Sequence, residues 1–222
     1  LATDHFERSI LPPDLTMTNP VSSAPVRRRT WKQDPQGRRD AILETAKRVF
    51  ARDGYAKTRL DDIAREAGVA EGTVYHLFGS KRGLLEAVGA DYGAGMARAA
   101  FGGEGRAYSP FEVETIVRNI FRYVRETAGP LAAFLLANHP LEGGPAQDAN
   151  RRAMLEAIEA NLERWTREGL MAPAHNRILA EIHFSLVEAA LRDCFLRHNS
   201  AEEEAYIREC VRVLGASLAP PH

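Results

Sequence analysis

The amino-acid sequence predicts an all-α chain, with a three-helix unit near its start and a larger helical body after it, and three observations carry that reading. Apolar residues recur at helical spacing, as in Ile42, Ala46, Val49 and Phe50. Nothing reads as a strand. The breaks fall where glycine, proline or a capping hydroxyl stands, at Gly54, Gly68, Ser80, Gly102 and Ser109.

Residues 1–37 hold five prolines and little apolar periodicity, which predicts a mobile arm. Met17 is an alternative start of the chain, and no function is placed before Arg27. A first amphipathic helix is expected from Arg38 to Asp53, closed at Gly54. Thr58 stands three residues before Asp61 and is expected to cap a second helix, Leu60 to Ala67. Gly68 interrupts it, and a third helix runs from Glu71 to Phe78 with Val74, Leu77 and Phe78 facing the core. Ser80 caps a long fourth helix to about Ala100. Glycines 102–105 break the chain before Ser109-Pro110-Phe111-Glu112, a capping box with proline in first position. Further helices are expected at Pro110–Thr127, Pro130–Asn138, Ala149–Gly169, Ala174–His198 and Ala201–Leu218, with a loop over His139–Gln147.

Of the 222 residues, 45% are hydrophobic and 27% charged, the balance of a globular chain with a core to bury. The longest apolar run, Leu131–Ala137, is far short of the eighteen or so residues of a membrane-spanning helix. Cys194 and Cys210 supply neither a disulfide framework nor a zinc spacing, and the first residues do not read as a secretory signal. A cytoplasmic location is therefore expected. The formal net charge of -1 is unevenly spread. Residues 27–85 hold 14 lysines and arginines against 8 acidic residues, whereas residues 86–222 hold 14 against 19. A basic module on an acidic body is the footprint of a part that binds a polyanion.

The strongest local signal is LDDIAREAGVAEGTVYHLF, residues 60–78. Ala64 is small where a second helix crosses it, Gly68 turns the chain, and Val74 with Leu77 fixes the crossing, a spacing that resembles the helix-turn-helix. Over the wider stretch RRDAILETAKRVFARDGYAKTRLDDIAREAGVAEGTVYHLFGSKRGLLEAV, residues 38–88, the sequence resembles the N-terminal domain of the TetR family of transcriptional regulators. The resemblance covers about fifty residues.

It implies an N-terminal three-helix helix-turn-helix domain at 38–88 and a C-terminal helical regulatory and dimerisation domain at 89–222. It also implies a regulator, in the main a repressor, that binds a pseudo-palindromic double-stranded DNA operator and is released by a small-molecule effector. Thr73, Tyr75 and His76 would face the major groove or its phosphates, Gly72 would permit close approach, Lys81 would bind a backbone phosphate, and Thr58 would add a contact. Hydroxyls and lysine are suited to phosphate oxygens, although His76 could instead pack on the first helix. The basic cluster Arg27–Arg29 could follow a neighbouring minor groove.

Two departures from the family pattern stand out. Ala70 and Glu71 replace a serine and a lysine common at the start of the third helix, and Gly83 stands where a glutamate would complete a capping box with Ser80. The first departure gives mild support to a second reading, a helical protein-interaction adaptor that keeps the fold without binding DNA.

In the body, Tyr92, Met96, Phe121, Phe134, Trp165 and His183 are candidates to line an effector pocket, with Phe101, Tyr123 and Met154 beside them, though core packing is the default. Ile178, Ile182, Leu186 and Ala189, and Ile207, Cys210, Val211, Leu214 and Leu218, give the last two helices apolar faces. Each face could be buried within one chain or against a second subunit, and the resemblance favours a homodimer. His139, His175, His183 and His198 lack ligand spacing, so no metal is expected. No nucleophile, phosphate loop or cofactor motif is present, which predicts a protein that is not an enzyme and carries no cofactor.

Overall fold

A computed structural model describes residues 34–102, 109–128, 144–196 and 202–218. The described residues are helical, without a strand. Helix α1 spans Pro35–Asp53 and starts earlier than the periodicity suggests: Asp34 Oδ1 accepts from the Gly37 amide at 2.7 Å, and Pro35 takes the first turn, where no amide donor is needed. The prolines of the expected arm thus include one that opens a helix. The rest of that arm, with Arg27–Arg29, lies outside the described residues.

Helix α2 (Leu60–Ala67) and helix α3 (Glu71–Phe78) are joined by Gly68 in the left-handed conformation, φ 70°, ψ 31°. There the Val69 amide reaches back to the Ala64 carbonyl at 3.0 Å, which satisfies an end that a side chain with a Cβ would strain. Helix α4 (Lys81–Phe101) begins with Ser80 Oγ accepting from the Gly83 amide at 3.0 Å. The departure at Gly83 has a steric reason: a Cβ there would meet the Phe78 carbonyl that ends α3.

The capping box forms as expected, with the Ser109 amide donating to Glu112 Oε2 at 3.0 Å. One 3-10 turn, Pro110–Glu112, leads into α5 (Val113–Tyr123), which widens into a π turn over Val124–Ala128. Helices α6 (Gly144–Arg167), α7 (Asn176–Leu196) and α8 (Glu203–Ser217) complete the body. The helix expected at Pro130–Asn138 lies outside the described residues.

Helix α6 corrects the expected loop, since residues 144–147 are helical. Pro145 falls in a first turn, where proline is tolerated, and tertiary packing supplies the rest. Helix α4 lies closest on α6, and Gly89 is pressed against the Ala146 backbone. One turn on, a Cβ at Gly93 would sit 2.7 Å from the Asn150 carbonyl. The glycines of α4 therefore let two helix backbones approach where side chains would hold them apart.

One core runs from Ile42 to Leu218. On α8, Ile207, Cys210, Leu214 and Leu218 are buried within the protomer, so the face weighed for a second subunit packs inside the chain. On α7 the outcome is the reverse: Ile178 is 60% and Ile182 55% exposed. Burial pushes both thiols up, that of Cys210 to about 11, so neither is a ready nucleophile. Arg118 joins α5 to α8 through Glu204 (2.5 and 2.9 Å), and Lys47 joins α1 to α4 through Asp91 at 2.5 Å. Burial works against the Lys47 charge, but Asp91 and Glu44 outweigh it and hold its pKa above the usual lysine value. Among the described residues no helix is long and apolar enough to cross a membrane.

Candidate nucleic-acid interface

Helix α3 has two faces because its eight residues make only two turns. Val74 is fully buried, Leu77 and Phe78 pack against the core, and the Arg39 guanidinium lies 5.5 Å from the centre of the Phe78 ring. With that face fixed, the opposite one presents Gly72, Tyr75 and His76 to solvent, with Thr73 half-buried at its edge. Tyr75 is 49% exposed although it is large and aromatic.

Gly72 has no folding role visible in its surroundings: a Cβ added there would meet nothing within 4 Å, and its backbone is ordinary helix. Glycine costs a helix up to about 1 kcal/mol relative to alanine, so an open, exposed glycine in a short helix is a cost without an internal return. Ala70, the residue before the helix, makes no side-chain cap, and Glu71 provides the acidic first turn that suits the helix dipole.

Thr58 and Lys81 are placed differently from their expected roles. Thr58 is buried, and its hydroxyl donates to the Gly54 carbonyl at 2.7 Å instead of capping α2, whose preceding residue is Arg59. The spacing to Asp61 was suitable, but the loop from α1 gives the hydroxyl a nearer acceptor. Lys81 Nζ donates to the Thr58 carbonyl at 2.7 Å and to that of Ala56 at 3.2 Å, and it sits 4.3 Å from the Tyr55 ring centre. In this structure both side chains brace the α1–α2 loop.

Several of the other cations are paired locally. Arg52 meets Asp53 and Glu66 at 2.8 Å, Arg59 meets Asp61 at 3.1 Å, and Arg65 meets Asp62. Such exposed pairs contribute little to stability and can yield to a phosphate.

The body holds a cavity of about 70 Å³ between α4, α5, α6, α7 and α8. Tyr92, Met96, Trp165 and His183 line it, as do Phe101 and Met154. Phe121 does not: it is fully buried elsewhere, 6.1 Å from the Phe195 ring centre, and Phe134 lies outside the described residues. Tyr123 stands behind Tyr92, 5.4 Å from ring centre to ring centre. Asn150 and Glu188 also line the cavity and were missed. Asn150 was legible as a polar residue on the stripe Asn150, Met154, Ile158 of α6, whereas Glu188 looks in sequence like any solvated glutamate. Among the described residues no group of three or more histidine, cysteine, aspartate or glutamate side chains is placed to hold a metal ion.

Residues 42–88 match the family described as "Bacterial regulatory proteins, tetR family". Over 60 residues the chain is 44% identical to the transcriptional regulator TtgR of Pseudomonas putida, covering 27% of this chain and 29% of that protein. Over 58 residues it is 41% identical to the transcriptional repressor KstR2 of Mycolicibacterium smegmatis, covering 26% and 28%. The chain therefore spans less than a third of the length of these curated relatives.

Two solved structures show the fold alone. One is a putative tetR family regulator from Shewanella sp. PV-4, with TM-score 0.59 and 24% identity, over 83% of this chain and 99% of that one. The other is SmeT, the repressor of the Stenotrophomonas maltophilia efflux pump SmeDEF, with TM-score 0.58 and 20% identity, over 82% and 92%.

Proposed function

We propose that the whole protein, whose residues 42–88 match the TetR family of transcriptional regulators, is a sequence-specific DNA-binding regulator, a repressor that releases its operator when a small molecule fills the cavity. The observation that carries this is the outer face of α3, where Gly72, Thr73, Tyr75 and His76 stand on a helix pinned from behind by Val74. A rigid helix with an exposed tyrosine hydroxyl and an open glycine fits the major groove: the hydroxyl bonds a phosphate oxygen, and the missing Cβ lets the backbone come close. Thr58 and Lys81 act by holding the loop that orients α2, and the basic block supplies the long-range attraction.

Two copies would read the two halves of a pseudo-palindrome, and the exposed Ile178 and Ile182 on α7 favour a second copy as the partner that covers them. Coupling would run along α4. That helix starts at the end of α3 and continues without a break to Tyr92 and Met96 in the cavity wall. An effector lowers operator affinity only as far as it binds the DNA-incompetent arrangement more tightly, typically by about 1–3 kcal/mol.

Selection of bound duplexes from a random pool by the purified full chain tests the reading. It predicts recovery of an inverted repeat whose binding weakens steeply as salt rises. A pool with no sequence preference would instead leave the adaptor.

A further inference from the structure

Two residues that line the cavity carry hydrogen-bonding groups that nothing among the described residues satisfies. Tyr92 is 2% exposed and its hydroxyl has no partner among the described residues; Asn150 Oδ1 is likewise buried and unpartnered among them. A buried polar atom left unpaired costs about 1–3 kcal/mol, and two of them on residues that line one apolar cavity are an anomaly for a site that is only core.

The charge of the wall is equally restrictive. Among the described residues no lysine or arginine lines it, and Glu188, paired with Arg192 at 3.3 Å, supplies a carboxylate. His183 adds no positive charge: burial pushes its pKa down to about 4. Its proton is also committed. Ser217 Oγ donates to the Leu214 carbonyl at 2.7 Å, so the Ser217 oxygen accepts from His183 Nε2 at 2.7 Å. Burial likewise pushes the Tyr92 phenol well above its usual range, so it stays neutral. An anion entering here would lose its water and meet the Glu188 carboxylate, whose partner Arg192 is already engaged and is not among the lining residues.

We propose that this cavity takes an uncharged hydrophobic molecule bearing a hydroxyl, a phenol or an alcohol, and that the hydroxyl satisfies Tyr92 Oη and Asn150 Oδ1 by accepting from one and donating to the other. The inference rests on the regulator reading only in calling that molecule the effector. At about 70 Å³ the cavity has room for only about two or three waters, each taking roughly 30 Å³ in the liquid. A ligand larger than that enters by repacking Met96 and Met154, side chains suited to it by their unbranched flexibility.

The test is binding of three probes of similar shape to the full chain without DNA, by calorimetry and by quenching of tryptophan fluorescence, since Trp165 lines the cavity. The probes are 4-propylphenol, 4-propyltoluene, in which a methyl replaces the hydroxyl, and 4-propylbenzoate. The phenol should bind at least about tenfold more tightly than the toluene, because a site built to pair with a hydroxyl rejects its isostere, and the benzoate more weakly than both. In Tyr92→Phe the phenol should lose most of that preference while toluene affinity holds, and the ligand-free protein should melt no lower than wild type. Asn150→Leu provides a second reading if Tyr92→Phe folds poorly. Equal affinity for phenol and toluene, tighter binding of the benzoate, or binding of none of the three overturns the proposal. Because no duplex is present, such a failure leaves the operator selection untouched, and failure of that selection leaves the probe ranking standing.

Discussion

Two helices of this chain carry glycines for opposite reasons. On α3, Gly72 faces open space, and a Cβ there would touch nothing. On α4, Gly89 and Gly93 lie against the backbone of α6, and a Cβ at either would collide with it. The glycines of α4 are explained by the inside of the protomer, because they bring two long helices together over the cavity. Nothing around Gly72 inside the protomer requires it, and the proposed interface would. The same residue type thus separates a part of the molecule that serves its own packing from a part whose glycine has no packing role.

The largest effect expected lies in the body, from pH. His183 is buried there, and its pKa falls from 6.5 to about 4 on folding. Between those values the unfolded chain takes up a proton that the folded chain does not. The stability tied to His183 is therefore complete above about pH 6.5, shrinks as the pH falls, and is gone below about pH 4, a swing on the order of 3 kcal/mol. Urea unfolding of wild type and His183→Asn across pH 4–7 checks this: the difference between the two curves should change with pH in that window, and a constant difference would refute the burial argument.

Next in size, Gly89→Ala should destabilise the fold by about 1–3 kcal/mol, since the obstacle is backbone on a neighbouring helix and not a flexible side chain. Thermal and urea unfolding read it directly, and wild-type stability would remove the close-approach account of α4. The hairpin should behave in the opposite way. Tyr75→Phe, at a half-exposed position, is expected to leave unfolding within about 0.5 kcal/mol and to weaken binding of the selected duplex about tenfold, through loss of a hydroxyl–phosphate bond of about 1–1.5 kcal/mol. Smallest of all, Gly72→Ala should raise stability, by up to about 1 kcal/mol, while duplex affinity falls. The sign of Gly→Ala should thus reverse between α3 and α4.

Much of the hairpin was legible because its determinants are local. Ala64, Gly68 and Val74 act within a dozen residues of one another, and their spacing alone specifies a turn between two crossed helices. Elements whose limits depend on distant contacts were less legible. The start of α6 is held by Gly89, more than fifty residues away, and appears in sequence only as a glycine- and proline-rich loop. In sequence Asp34 and Pro35 look like the end of the proline-rich arm, although together they make an N-cap and a first turn.

The individual side chains divide in the same way. Tyr75 and His76 sit on the face that helical spacing assigns them. Thr58 and Lys81 turn to loop carbonyls whose position only the folded chain defines. Phe121 and Trp165 looked alike as aromatic residues of the body, and only packing sends one to Phe195 and the other to the cavity. The exposed face of α7 and the buried face of α8 were likewise indistinguishable by periodicity.

The most direct measurement is the affinity of Gly72→Glu/Tyr75→Phe for the selected duplex, taken beside its unfolding free energy. Glutamate is a better helix former than glycine and suits a helix N-terminus, so folding should be preserved. A negative charge on the face proposed to meet phosphate should lower duplex affinity by about a hundredfold or more. Wild-type affinity in a fully folded double variant would show that the duplex binds elsewhere.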